Sequence, residues 1–184
     1  SMTGGGQIFT LCPFSPTERN SLNSRIEIWY KENAPAGNYT ISNTWSPSNP
    51  GTIQRMVLEF AGVLASGAFD AAGGANGSSS SPLATAVSSS PNDLAVAAIE
   101  TNNASRNVSP PWVNDLEATA NWYQTAAHNL NMGAVGTEPT GFTLGGSGQW
   151  NVSIALFKTT VQAGVAPSVA DSVTVTDSIA VALP

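Results

Sequence analysis

Apolar and polar residues alternate with a period of two through much of the chain, the spacing of a half-buried β-strand. The clearest run is 149–159, Q-W-N-V-S-I-A-L-F-K-T, with Trp150, Val152, Ile154 and Leu156 on one face. Residues 25–32 place Ile26, Ile28 and Tyr30 on one side and Glu27, Trp29 and Lys31 on the other. Residues 38–45 alternate again, with Tyr39, Ile41 and Trp45 together. Ala34-Pro35-Ala36-Gly37 lies between them. Pro presets one turn dihedral and Gly permits positive φ, so these two runs predict a hairpin. Residues 52–60 predict the next strand, with Met56, Leu58 and Phe60 inward and Arg55 and Glu59 outward. Val57 interrupts that pattern and points to partial burial of the other face.

Residues 83–87 predict a short strand, and 93–100 a longer one. In the latter Leu94, Val96 and Ala98 alternate with Ala95, Ala97 and Ile99, so both faces are expected to be buried. Residues 112–116 and 141–144 predict short strands. The stretch 117–128 fits helix or strand; strand is preferred because its neighbours are strands and turn signals recur at short spacing. Gly145-Gly146-Ser147-Gly148 reads as a flexible turn. Residues 62–81 hold five Gly and a run of four Ser, with few large apolar residues. They predict a long surface loop anchored at Phe69. About eight short strands with Gly/Pro turns predict an all-β fold, an antiparallel β-sandwich of jelly-roll or Greek-key type.

The C-terminal part stands apart. Residues 1–160 read as the β-sandwich domain, and 161–184 as a linker followed by a terminal strand. Asp171-Ser172-Val173-Thr174-Val175 recurs as Asp177-Ser178-Ile179-Ala180-Val181. Val173, Val175, Ile179 and Val181 share a face that the segment cannot bury alone. It caps its own sheet, begins a further module, or adds to the sheet edge of another chain, since strand addition needs only main-chain pairing and alternate side chains.

Composition narrows the function classes. Charged residues are only 10%, with six Lys+Arg against 12 Asp+Glu and a net charge of −6. A nucleic-acid partner is therefore not expected, because phosphate neutralisation needs a basic surface. No run of about 18 apolar residues occurs, so no membrane span is expected. The single Cys excludes an intrachain disulfide framework, and the single His excludes most zinc sites. Ser, Thr, Asn, Gly and Ala fill the remainder, a composition expected of an extracellular β-protein. Five N-x-S/T sequons, at Asn38, Asn76, Asn103, Asn107 and Asn151, are compatible with export.

Candidate chemistry is sparse. Cys12 and His128 lack the surroundings of a nucleophile and base, and Cys12 reads as a small buried hydrophobe. A glycoside hydrolase needs two carboxylates facing across a cleft. Glu27, Glu59, Glu100, Asp70, Asp93, Asp115 and Glu117 stand in no such motif, and no enzymatic activity is expected. G-x-S-x-G is absent, as are phosphate and dinucleotide loops. No cofactor is expected; calcium is the one candidate, if Asp70, Asp93 and Asp115 converge with loop carbonyls. A carbohydrate-binding module is the alternative to a structural role. Aromatic faces stack on sugars, and Trp112, Trp122 and Tyr123 are the candidate ligand-binding residues for a surface glycan.

Several motifs together resemble a poorly characterised family of β-sandwich modules, over residues 25–158. They are Trp29-Tyr30 followed by Ala34-Pro35-Ala36-Gly37, the run Val57-Leu58-Glu59-Phe60-Ala61-Gly62-Val63, Asp93-Leu94-Ala95-Val96-Ala97-Ala98, and Trp150 with Ala155-Leu156-Phe157-Lys158. The resemblance implies a module of phage structural proteins or secreted bacterial proteins, at an extracellular or virion surface. Such modules begin with extra strands before the Gly-rich segment matched by Gly4-Gly5-Gly6-Gln7; the expectation here is a sandwich with an open edge. The combined expectation is a non-enzymatic structural or adhesive subunit. It would form a homo-oligomer or polymer through strand exchange, with Val173, Val175, Ile179 and Val181 on the assembly strand.

Overall fold

The strongest alternation in the sequence becomes the strand on which the rest assembles. In the computed structural model, residues 2–4, 6–13, 17–19, 24–37, 39–43, 54–119, 122–130 and 132–160 are described. They form β1 (Met2–Gly4), β2 (Gln7–Ile8), β3 (Thr10–Leu11), β4 (Thr17–Arg19), β5 (Ser24–Ile26), β6 (Trp29–Tyr30), β7 (Ile41–Asn43) and β8 (Phe69–Ser79). The second half contributes β9 (Thr85–Ser88), β10 (Leu94–Thr101), β11 (Arg106–Val108), β12 (Val113–Ala118), β13 (Tyr123–Asn129), β14 (Gly136–Pro139), β15 (Phe142–Leu144) and β16 (Gly148–Phe157). The described residues contain no helix, and every ladder between these strands is antiparallel.

The main sheet has five strands in the order β12-β13-β10-β16-β8. Its register sets the two faces. Ala95 opposes Leu156, Ala97 opposes Ile154 and Ile99 opposes Val152, and all six side chains lie in one core. That core is completed by Ala84 and Ala86 beside β9, by Phe142 and Leu144 of β15, and by Trp112. The paired strands β9/β14 and β11/β15 thus cover this face. On the opposite face Leu94, Ala155 and Phe157 pack with Cys12 and Ala68. Ile28, Tyr30, Phe60, Val63 and Leu64 from the N-terminal half close over them. Tyr30 stacks on Phe69 at 5.5 Å between centroids and meets Phe157 edge-on at 5.4 Å. Both faces of β10 and β16 are buried, in β10 under the apolar run Leu94–Ile99 and in β16 with Asn151 and Ser153 among the buried residues.

The expected hairpin between 25–32 and 38–45 does not form. β5 pairs with β4, β6 with β3, and β7 with β1. The Glu32 carboxylate explains the break. It accepts hydrogen bonds from the backbone N–H groups of Gly67, Ala68 and Phe69 at 3.0, 2.7 and 3.3 Å. Asn33 then adopts φ 47°, turning the chain out of the strand direction. Residues 54–59 form no strand either. Phe60, Val63 and Leu64 lie on the second core as a cover, so their apolar spacing serves packing rather than a ladder.

The largest departure is β8. The Gly/Ser stretch expected as a loop is an 11-residue edge strand, in register with β16 from Ser79 opposite Gly148 to Phe69 opposite Phe157. Its small residues are a steric requirement. A Cβ on Gly73 would lie 1.8 Å from the backbone oxygen of Thr85, and one on Gly77 would lie 2.7 Å from the Trp150 ring. The strand can pass beneath β9 and the indole only where it carries no side chain. The Trp150 Nε1 donates to Ser79 Oγ at 3.0 Å, holding the ring there. β14, which pairs with β9, was not anticipated from its sequence Gly136-Thr137-Glu138-Pro139.

Substitution Gly73→Val drives a methyl into the Thr85 carbonyl, and overpacking of this kind costs roughly 1–3 kcal/mol or more. Urea unfolding is expected to show that loss. Gly146→Ala, whose new Cβ has its nearest neighbour at 3.8 Å, is expected to stay close to the parent curve.

Candidate functional site

A β-sheet edge presents unpaired N–H and C=O groups, and proteins blunt such edges with charges, Pro or bulges. The two edges of the main sheet differ in this respect. β12 carries a bulge between Asn114 and Leu116 and the exposed acid Glu117. β8 reads F-D-A-A-G-G-A-N-G-S-S, with Asp70 its one charge and no Pro. Its register irregularity falls only at its first residues, beside Leu156 and Phe157. Along Phe69–Ala75 no other described strand pairs with the outer side of β8.

A groove of about 430 Å³ opens beside this edge. One wall is Phe69, Asp70, Ala71 and Ala72; the other is Thr85, Ala86 and Val87, with Pro13 at one end. Val87 is 65% exposed and Leu83, just before β9, is 51% exposed. Val87 therefore stands open in the groove, beside a stretch of β8 that pairs with no other strand among the described residues.

Asp70 ties the groove to the sheet. Its carboxylate accepts from the Ser89 backbone N–H at 2.6 Å and from the Ser89 hydroxyl, and lies 3.2 Å from Lys158 Nζ. Asp93 hydrogen-bonds to Asp70, and Ser88 Oγ donates to Asp93 Oδ2 at 3.1 Å. Burial pushes the Asp70 carboxyl up, but the bonds from Ser89, Asp93 and Lys158 outweigh it and hold it down at about 2. Burial, then the neighbouring Asp70, push Asp93 up to about 7 despite Ser88 and Lys158. Below about pH 7 Asp93 is therefore the neutral member of the pair and Asp70 the charged one. These contacts join the starts of β8 and β10 to the ends of β9 and β16.

The acids expected to converge on calcium are divided. Asp70 and Asp93 come together with Lys158 between them and solvent, while Asp115 pairs with His128, Nδ1 to Oδ1 at 2.6 Å. Burial raises the Asp115 carboxyl above its ordinary range, opposed by the imidazole. No group of three metal-ligating side chains occurs among the described residues. Cys12 is fully buried and its thiol is pushed up to about 12, the opposite of an activated nucleophile.

The aromatic candidates separate likewise. Trp112 is 7% exposed and packs in the first core, its Cδ1 against the space a Cβ on Gly141 would fill. The Trp112 ring is thus covered by its neighbours in the first core. One face of Tyr123 is taken by the Arg106 guanidinium, 5.2 Å from the ring centroid. Arg106 is fixed there by Thr125 Oγ1 at 2.9 Å and Glu117 at 3.3 Å. Trp122 is half-buried next to Tyr123. Among the sequons, Asn76 and Asn107 are exposed, whereas Asn151 is buried within β16 and Asn103 Nδ2 donates to the Gly146 carbonyl. Val173, Val175, Ile179 and Val181 lie outside the described residues, as does Asn38.

The acid pair sets a pH dependence. Asp93, raised in the fold, destabilises as pH climbs from about 4 toward about 7; Asp70, lowered, loses its contribution as pH falls below about 4 toward about 2. Asp93→Asn keeps a neutral donor toward Asp70, so it is expected to flatten the decline of Tm between about pH 4 and about pH 7. Differential scanning calorimetry across that range reads the difference.

Compared with known proteins, the chain matches no protein-family model, no curated protein and no solved structure.

Proposed function

We propose that the chain is a non-enzymatic structural or adhesive subunit that assembles with copies of itself through strand pairing. The architecture is proposed as a β-sandwich of jelly-roll or Greek-key type at an extracellular or virion surface. The observation that carries this reading is the Phe69–Ala75 stretch of the β8 edge, with Asp70 its one charge and the open side chain of Val87 beside it. An edge of that kind templates pairing with another chain, and monomeric proteins take measures against it. The opposite edge of the same sheet has such measures, in its bulge and in Glu117. The scarcity of charge in the whole sequence and the resemblance of residues 25–158 to phage and secreted β-sandwich modules support the same reading.

The test is the solution mass of the full chain. Light scattering over a range of concentrations is expected to show oligomers. Gly74→Lys combined with Ser78→Lys places two ammonium groups on exposed positions of β8 and is expected to reduce the mass to a single chain. A parent protein that stays monomeric at every concentration ends the reading.

A further inference from the structure

The edge and groove also indicate what fills them. A strand added here must pair with Phe69–Ala75 by its backbone and turn apolar side chains toward Ala71, Ala86 and Val87. It must also be slim, because the neighbouring surface is built of Gly, Ala and Ser. Residues 172–183 have that composition. Val173, Val175, Ile179 and Val181 alternate with Ser172, Thr174, Thr176, Ser178 and Ala180, and none is bulky or basic. The one charge on the apolar face is Asp177.

Direction decides which copy supplies the strand. The chain reaches Thr160 beside the start of β8: Val63 bridges Thr159, and Thr160 N–H donates to the Gly62 carbonyl at 2.8 Å. An antiparallel partner of β8 runs the other way, from the Ser79 end toward Phe69. Within one molecule the linker would have to double back along the strand before pairing. A second molecule delivers the segment in the right direction without that detour.

We propose that residues 172–183 of one copy add as an antiparallel strand to the β8 edge of a second copy, with their aliphatic side chains in the groove between β8 and β9. This rests on the self-assembly reading and names the partner that reading requires. Because donor and acceptor are different surfaces, each copy offers one of each. The contact is heterologous and propagates unless a rotation closes it.

The test uses the full chain. Molecules carrying Gly74→Cys are mixed with differently tagged molecules carrying Ser172→Cys, Thr174→Cys, Thr176→Cys or Ser178→Cys, and oxidised. Gly74 is exposed on β8, and the four tail positions lie on the face opposite the aliphatic row. At one or more of these positions a disulfide between the two tagged chains is expected, exceeding that formed with Thr137→Cys, an exposed control on β14. Val175→Pro removes a ladder donor and is expected to abolish the oligomer while leaving the far-ultraviolet circular dichroism unchanged. The proposal is overturned if the disulfide forms only within doubly substituted single molecules. It is also overturned if oligomers persist while no tail position exceeds the control; the assembly reading then stands with a different partner at the edge. A monomeric parent protein overturns both.

Discussion

The fold is governed by one close approach, the passage of the β9 backbone over Gly73 at a distance that leaves no room for a Cβ. Beneath it β8 has to be made of residues with little or no side chain, and the same applies at Gly77 under Trp150. Small residues in turn allow the covering layer to sit low, so that Ala84, Ala86, Phe142 and Leu144 reach the central strands directly. Tight spacing between the layers replaces the bulky aliphatic residues that most sheets use, in line with the dense packing of protein interiors. Gly in a strand weakens it, and here the loss is offset by pairing along nearly the full length of β16.

The same constraint produces the exposed edge. A strand that must stay slim has no place for the long charged side chains that guard other edges. Asp70 is the exception, and it is turned inward to Ser89, Asp93 and Lys158 rather than outward to repel a neighbour. Its role is to anchor, its charge met by the Ser89 backbone N–H and the Lys158 ammonium. Edge exposure and corner anchoring are therefore linked, since the group best placed to guard β8 is engaged in holding it to β9, β10 and β16.

Much of the fold was legible in the sequence, and the failures have physical reasons. β10 and β16 were readable because their apolar residues recur at strand spacing, whereas 117–128, read as one strand from its neighbours, spans the end of β12 and most of β13. β8 was hidden because a strand selected for absence of side chains has the composition of a loop. The hairpin at Pro35-Ala36-Gly37 was misread because the pairing is decided by Glu32, whose partners Gly67, Ala68 and Phe69 are distant in sequence. Trp112 looked available because it follows two prolines, whereas Gly141 provides the slot that buries it. The groove beside β8 was not visible in the sequence, because it consists of backbone and empty space.

Cys12 has a consequence for watching this molecule move. It is the only thiol in the chain, fully buried between Leu94, Ala155 and Phe157 beneath the N-terminal cover, and held protonated. A thiol reagent reaches it only when that cover lifts from the sheet. The rate at which Cys12 is labelled is therefore an intrinsic clock for local opening of the N-terminal half, separable from global unfolding through its dependence on denaturant.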